Sequence, residues 1–167
     1  MNIEAAFEAL KPALAERYIA QVRASFKYIV EKFGPSAQGV ANSVHYHNWA
    51  NLVSPNVTRA SDNGIVRANS EVYLDEVKLS INAQRYAEDA AQAWRHKING
   101  KIGDLENVEI KQWSGCNFLI SGHRNGHAVA IDQNIVTKAS PRGRLFNQFP
   151  ARIYVDGKFT SEKKYQA

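Results

Sequence analysis

Near residue 108 the spacing of apolar side chains changes, and no other feature constrains the fold as strongly. From Ile3 to Phe33 apolar residues recur every three or four positions, at Ile3, Phe7, Leu10, Leu14, Tyr18, Val22, Phe26, Ile29 and Phe33. That is a single stripe on a helix of 3.6 residues per turn. Beyond residue 108 the period falls to two, as in Val108-Glu109-Ile110, which is the signature of a strand with alternating faces. A run of helices followed by a run of strands predicts an α+β fold, with two long N-terminal helices packed on a small C-terminal antiparallel β-sheet. At 167 residues the chain is long enough to bury one hydrophobic core, so a single domain is expected, mainly helical over 1–100 and a basic β part over 108–167.

The helix limits follow from their punctuation. Gly34-Pro35 stops the first helix, while Pro12 falls near its first turns and marks a second start or a kink. Glu4 and Glu8 near its start and Lys32 near its end suit the helix dipole. Residues 36–70, rich in Ser, Asn, Gly and Ala and broken by Pro55 and Asn63-Gly64, read as loops with at most one short helix. Ser70 is the expected N-cap of the second helix, followed by Glu71, Asp75 and Glu76 and closed by Arg95, His96, Lys97 and Gly100. Its expected apolar face is Leu74, Val77, Ile81, Ala87, Ala90, Trp94 and Ile98.

In the β part, Arg124-Asn125-Gly126-His127 is a hairpin signal, because a type I′ turn needs positive φ at both central residues. It sets the register: Arg124 opposite His127, Gly122 opposite Val129, Ile120 opposite Ile131, and His123 opposite Ala128 on the other face. A further strand at Arg152–Val155 turns at Asp156-Gly157 and returns through Lys158-Phe159, for four or five antiparallel strands in all.

Charge is segregated. Residues 1–135 hold equal numbers of acidic and basic side chains, whereas residues 136–167 hold seven Lys or Arg against Asp156 and Glu162, which accounts for the whole net charge of +5. Such asymmetry implies an anionic partner, nucleic acid or an acidic protein surface, set against a basic face that serves only solubility. The lone Cys116 cannot close an intramolecular disulfide, and no apolar run of membrane-spanning length occurs, so a soluble cytoplasmic protein with no membrane partner is expected.

The residues best suited to an anionic partner lie in Ser140–Pro150 and just beyond. Arg142 and Arg144 offer planar donors for phosphate, Phe146 and Tyr154 rings for stacking, and Arg152, Lys158, Lys163 and Lys164 extend the positive field. Arginines interleaved with aromatics also make protein-interface hot spots, and Phe146 and Phe149 are as well explained as core anchors. His45 and His47 would share one face of a strand, a spacing that can hold a metal, but two ligands do not complete a site. Cys116 reads as a small buried thiol. With no P-loop, GxGxxG, HExxH or GxSxG pattern, neither a catalytic residue nor a cofactor is assigned and the reading leans away from an enzyme.

The stretch Phe146-Asn147-Gln148-Phe149-Pro150-Ala151-Arg152-Ile153-Tyr154-Val155-Asp156-Gly157-Lys158-Phe159 resembles small proteins encoded by bacteriophages and mobile elements. That resemblance implies either action on nucleic acid or an inhibitor that binds and blocks a host protein, CRISPR effector complexes included, in the host cytoplasm; it carries over no residue role. Two function classes therefore stand: a nucleic-acid-binding protein using the basic β part, and a protein-binding inhibitor or adaptor. Helices with a continuous apolar stripe also make dimer surfaces, so a homodimer stays open.

Overall fold

The computed structural model describes residues 2–35, 39–40, 42–43, 49, 52, 72–139 and 145–163, with Ala139 and residues 161–163 described by backbone alone. Helix α1 spans Ile3–Phe33 and helix α2 Glu76–Ile102. Seven strands follow: β1 Glu106–Ser114, β2 Asn117–Arg124, β3 His127–Asn134, β4 Val136–Ala139, β5 Leu145–Gln148, β6 Ala151–Val155 and β7 Lys158–Lys163. They form a five-stranded sheet in the order β1-β2-β3-β6-β7, antiparallel throughout, and a two-stranded sheet of β4 and β5. The class is α+β.

Side chains cap both helices. Asn2 Oδ1 accepts from the Ala5 N–H at 2.8 Å, and Asp75 Oδ1 accepts from the Lys78 N–H at 3.0 Å, each satisfying a donor that has no partner within its helix. At the other end of α1, Gly34 takes φ 84° and its N–H reaches the Val30 carbonyl at 3.0 Å, a left-handed cap that suits glycine. Pro12 sits inside α1 without ending it. Residues 72–75 are not helical, so α2 starts behind Asp75 and not behind Ser70, which lies outside the described residues.

The chain divides into two compact units, one of residues 1–15, 84–138 and 146–167, the other of 16–83 and 139–145. In the first unit, Phe7, Leu10 and Leu14 of α1 and Ala87, Ala91, Trp94 and Ile98 of α2 share one buried cluster with Phe118, Ile120, Val129 and Ile131. Trp94 and Phe118 stack at 5.1 Å between centroids. Ion pairs Glu4–Arg95 (3.1 Å) and Lys11–Glu88 (3.0 Å) join the same two helix segments. In the second unit, Val22 and Ile29 bury with Val40, Trp49, Leu52 and Leu79, and Phe26 packs on Trp49 at 5.2 Å.

The buried stripe of α2 is Leu79, Ala83, Ala87, Ala90, Ala91, Trp94 and Ile98. Its C-terminal half is the expected one. Val77 and Ile81 depart from expectation, being 70% and 52% exposed, because Leu79 and Ala83 take the inward positions of those turns. The 36–70 segment lies mostly outside the described residues, although Val40, Trp49 and Leu52 are buried.

The hairpin matches its expected register at every pair, from Arg124↔His127 to Ile120↔Ile131. Asn125 and Gly126 take φ 53° and 80°, as a type I′ turn requires. Asp156 and Gly157 repeat the device at φ 51° and 79° between β6 and β7. In β1 a bulge between Glu106 and Glu109 contains Asn107 at φ 54°. There β2 passes so close that a Cβ on Gly122 would lie 2.9 Å from the Glu106 carbonyl oxygen.

Candidate nucleic-acid interface

Strand alternation sorts the β-region into two faces. Phe118, Ile120 and Gly122 of β2, Val129, Ile131 and Gln133 of β3 and Ala151 of β6 are buried on the core face. The intervening residues form the outer face, where Glu109, Lys111, His123, Ala128, Arg152 and Phe159 are exposed. Register places Glu109, Ser121, Ala130, Tyr154 and Phe159 in one row across all five strands. Three strand spacings separate Glu109 from Tyr154, about 14 Å.

The middle of that row is low because Ser121, Ala128 and Ala130 are small. A groove of about 360 Å³ results, with Asn107, Glu109 and His123 on one side and Tyr154 on the other. That volume falls in the range of about 300–1,000 Å³ usual for small-ligand sites. Tyr154 meets Phe159 edge to face at 5.8 Å, and Phe159 is 53% exposed. The ring pair therefore presents an aromatic step at the rim of the groove.

Beside the rings, the register sets Arg152 between Asp132 of β3 and Glu162 of β7. Lys158 pairs with Val155 and Lys163 with Ala151, positions of the core-face parity. The sheet thus brings Arg152 and Tyr154 onto one face and puts Lys158, at its β7 edge, on the other. Phe146 is half-buried in β5, next to Asn147, whose Oδ1 accepts from Tyr86 Oη at 2.7 Å and from Thr137 Oγ1 at 2.9 Å. Arg142, Arg144 and Lys164 lie outside the described residues, as do His45 and His47.

The β6–β7 turn is held by His127 and Asp156. His127 Nδ1–H donates to Asp156 Oδ2 at 2.7 Å, and the Ala128 N–H donates to Asp156 Oδ1 at 3.0 Å. The His127 hydrogen bond first and the Ala128 N–H second hold the Asp156 carboxyl below its ordinary range. His123 and His127 fall on opposite faces, as the register predicted. Cys116 is buried in the core.

Reasoning from sequence passed over Phe159, Glu109, His123 and the 63%-exposed Trp113 as interface residues. The signal for Phe159 was present, since the Asp-Gly turn sets it opposite Tyr154. Comparison with protein-family models, curated proteins and solved structures finds no match for this chain. Among the described residues no helix is long and apolar enough to cross a membrane.

Proposed function

We propose that the β-region binds single-stranded nucleic acid across the outer face of the five-stranded sheet. The observation that carries this reading is the ring pair of half-buried Tyr154 and exposed Phe159, set in the segment that holds all of the chain's net positive charge. A stacked base adds to the aromatic step and its neighbour enters the groove between Tyr154 and His123, while Arg142, Arg144 and Lys164 of the basic segment draw the phosphates and Lys158, at the β7 edge, adds to the positive field from the opposite face. In this reading the start of α1 and the later turns of α2, which share the first unit's core, lie on the core face of the sheet and leave the outer face to the ligand. Asp132, paired with Arg152 across β3 and β6, reduces that arginine's share of the attraction, so the aromatic rings, Arg142 and Arg144 carry most of it.

The test is fluorescence anisotropy with labelled single-stranded DNA, RNA and duplex DNA at two salt concentrations. Salt-sensitive binding to single strands, weakened at least about tenfold in an Arg142→Glu/Arg144→Glu variant, is the expected result. Absence of binding at low salt refutes the proposal.

One observation favours a second reading. Val77 and Ile81, one turn apart on α2 and each more than half exposed, make an apolar surface of the kind that docks on another protein, with the exposed Tyr73 just before the helix. Under that reading the chain is an inhibitor or adaptor of phage type, directed at a host nucleic-acid-processing complex, with the basic segment steering encounter.

A further inference from the structure

The groove on the outer face has one acidic wall. Glu109 stands there opposite Ser121, exposed, and among the described residues its carboxylate has neither a hydrogen bond nor an ion pair. Asn107 lies on the same wall, inside the β1 bulge and at φ 54°, and a bulge is a device that re-aims a side chain. Ser121, Ala128 and Ala130 form the floor, which offers one hydroxyl and otherwise only methyl groups and backbone. Tyr154 closes the far wall.

An ionised carboxylate accepts hydrogen bonds and donates none, and it repels phosphate, so the part of a nucleic acid suited to this wall is a base. Given the reading that the outer face binds single strands, on which this step rests, the wall discriminates among bases by their Watson–Crick edges. Adenine and cytosine present one amino donor beside a ring-nitrogen acceptor, and uracil and thymine one N–H between two carbonyls. Each of these sets an acceptor against a carboxylate oxygen. Guanine presents two adjacent donors, N1–H and the N2 amino group, which meet both oxygens of one carboxylate. Length agrees with chemistry. Glu109 and Tyr154 are three strand spacings apart, about 14 Å. After the glutamate side chain and a hydrogen bond of about 2.9 Å, a bicyclic purine lying on the alanine floor fills the remainder, whereas a pyrimidine at Glu109 leaves a gap before Tyr154. We infer that the groove is a guanine subsite, in which Glu109 accepts from N1–H and the N2 amino group and the Asn107 amide donates to O6.

Fluorescence anisotropy with labelled heptamers of thymidine, and of uridine in the ribose series, tests the inference when the central base is guanine, adenine, cytosine or hypoxanthine. The guanine heptamer is expected to bind at least about tenfold more tightly than the other three. Hypoxanthine keeps N1–H and lacks only the N2 amino group, so that comparison needs no variant. Glu109→Gln presents one acceptor and one donor, which match adenine; the variant should lose the guanine preference with its circular-dichroism spectrum unchanged. A glutamate that acted through charge alone would, once neutralised, raise the affinity for every heptamer alike and keep their ranking. Equal binding of all heptamers, hypoxanthine equal to guanine, or a guanine preference retained by Glu109→Gln overturns the inference and leaves single-strand binding standing. No binding of any heptamer at low salt overturns both.

Discussion

Asp156 combines three tasks at one turn: it takes a left-handed backbone, closes the ladder through the Ala128 N–H, and accepts from His127. Its folded pKa lies below the ordinary value of 3.8, so the stabilisation is complete above that value and is lost as pH falls through the lower, folded one. Asp156→Asn keeps the tolerance for positive φ but cannot ionise. Urea midpoints taken between about pH 5 and pH 2 should therefore fall less steeply in the variant than in the wild type. At the buried Asn147, Tyr86→Phe removes one of two donors to Oδ1 and should lower stability by about 1 kcal/mol. Gly122→Ala drives a methyl towards the Glu106 carbonyl and should cost about 1–3 kcal/mol, read from the same denaturation curves.

Helix α2 begins where Asp75 meets the Lys78 N–H, so Asp75→Ala should destabilise the chain by about 1 kcal/mol in urea denaturation. Ser70 and Asp75 are equally good caps by chemistry, and acidic residues follow both. What separates them is tertiary: Leu79 and Ala83 turn inward, leaving Val77 and Ile81 outside. An alanine-rich helix offers several faces of similar hydrophobicity, so its spacing alone does not choose among them. The hairpin was legible because Asn125-Gly126 leaves one turn type and hence one register. The same logic at Asp156-Gly157 contained the opposition of Phe159 and Tyr154, and also the placing of Lys158 on the other face. The grouping of Lys97, Lys101 and Arg124 around one pocket was not legible, since Arg124 lies 27 and 23 positions from the two lysines and joins them only through packing.

For the whole molecule, charge and shape bear on different readings. The excess of +5 belongs to residues 136–167 and favours a polyanion, whereas the exposed apolar residues Tyr73, Val77 and Ile81 belong to the other unit and favour a protein partner. Salt separates them: phosphate contacts weaken steeply as ionic strength rises, while burial of an apolar row does not. The central claim is that nucleic acid lies on the outer face at Tyr154 and Phe159. Its most direct test is amide chemical-shift mapping of the folded chain during titration with a short single-stranded oligonucleotide. The account predicts saturable shifts concentrated at Ser121–His123, Ala128–Ala130 and Arg152–Phe159, with residues 73–81 unmoved. Shifts confined to residues 73–81, or none at any oligonucleotide concentration, would contradict it.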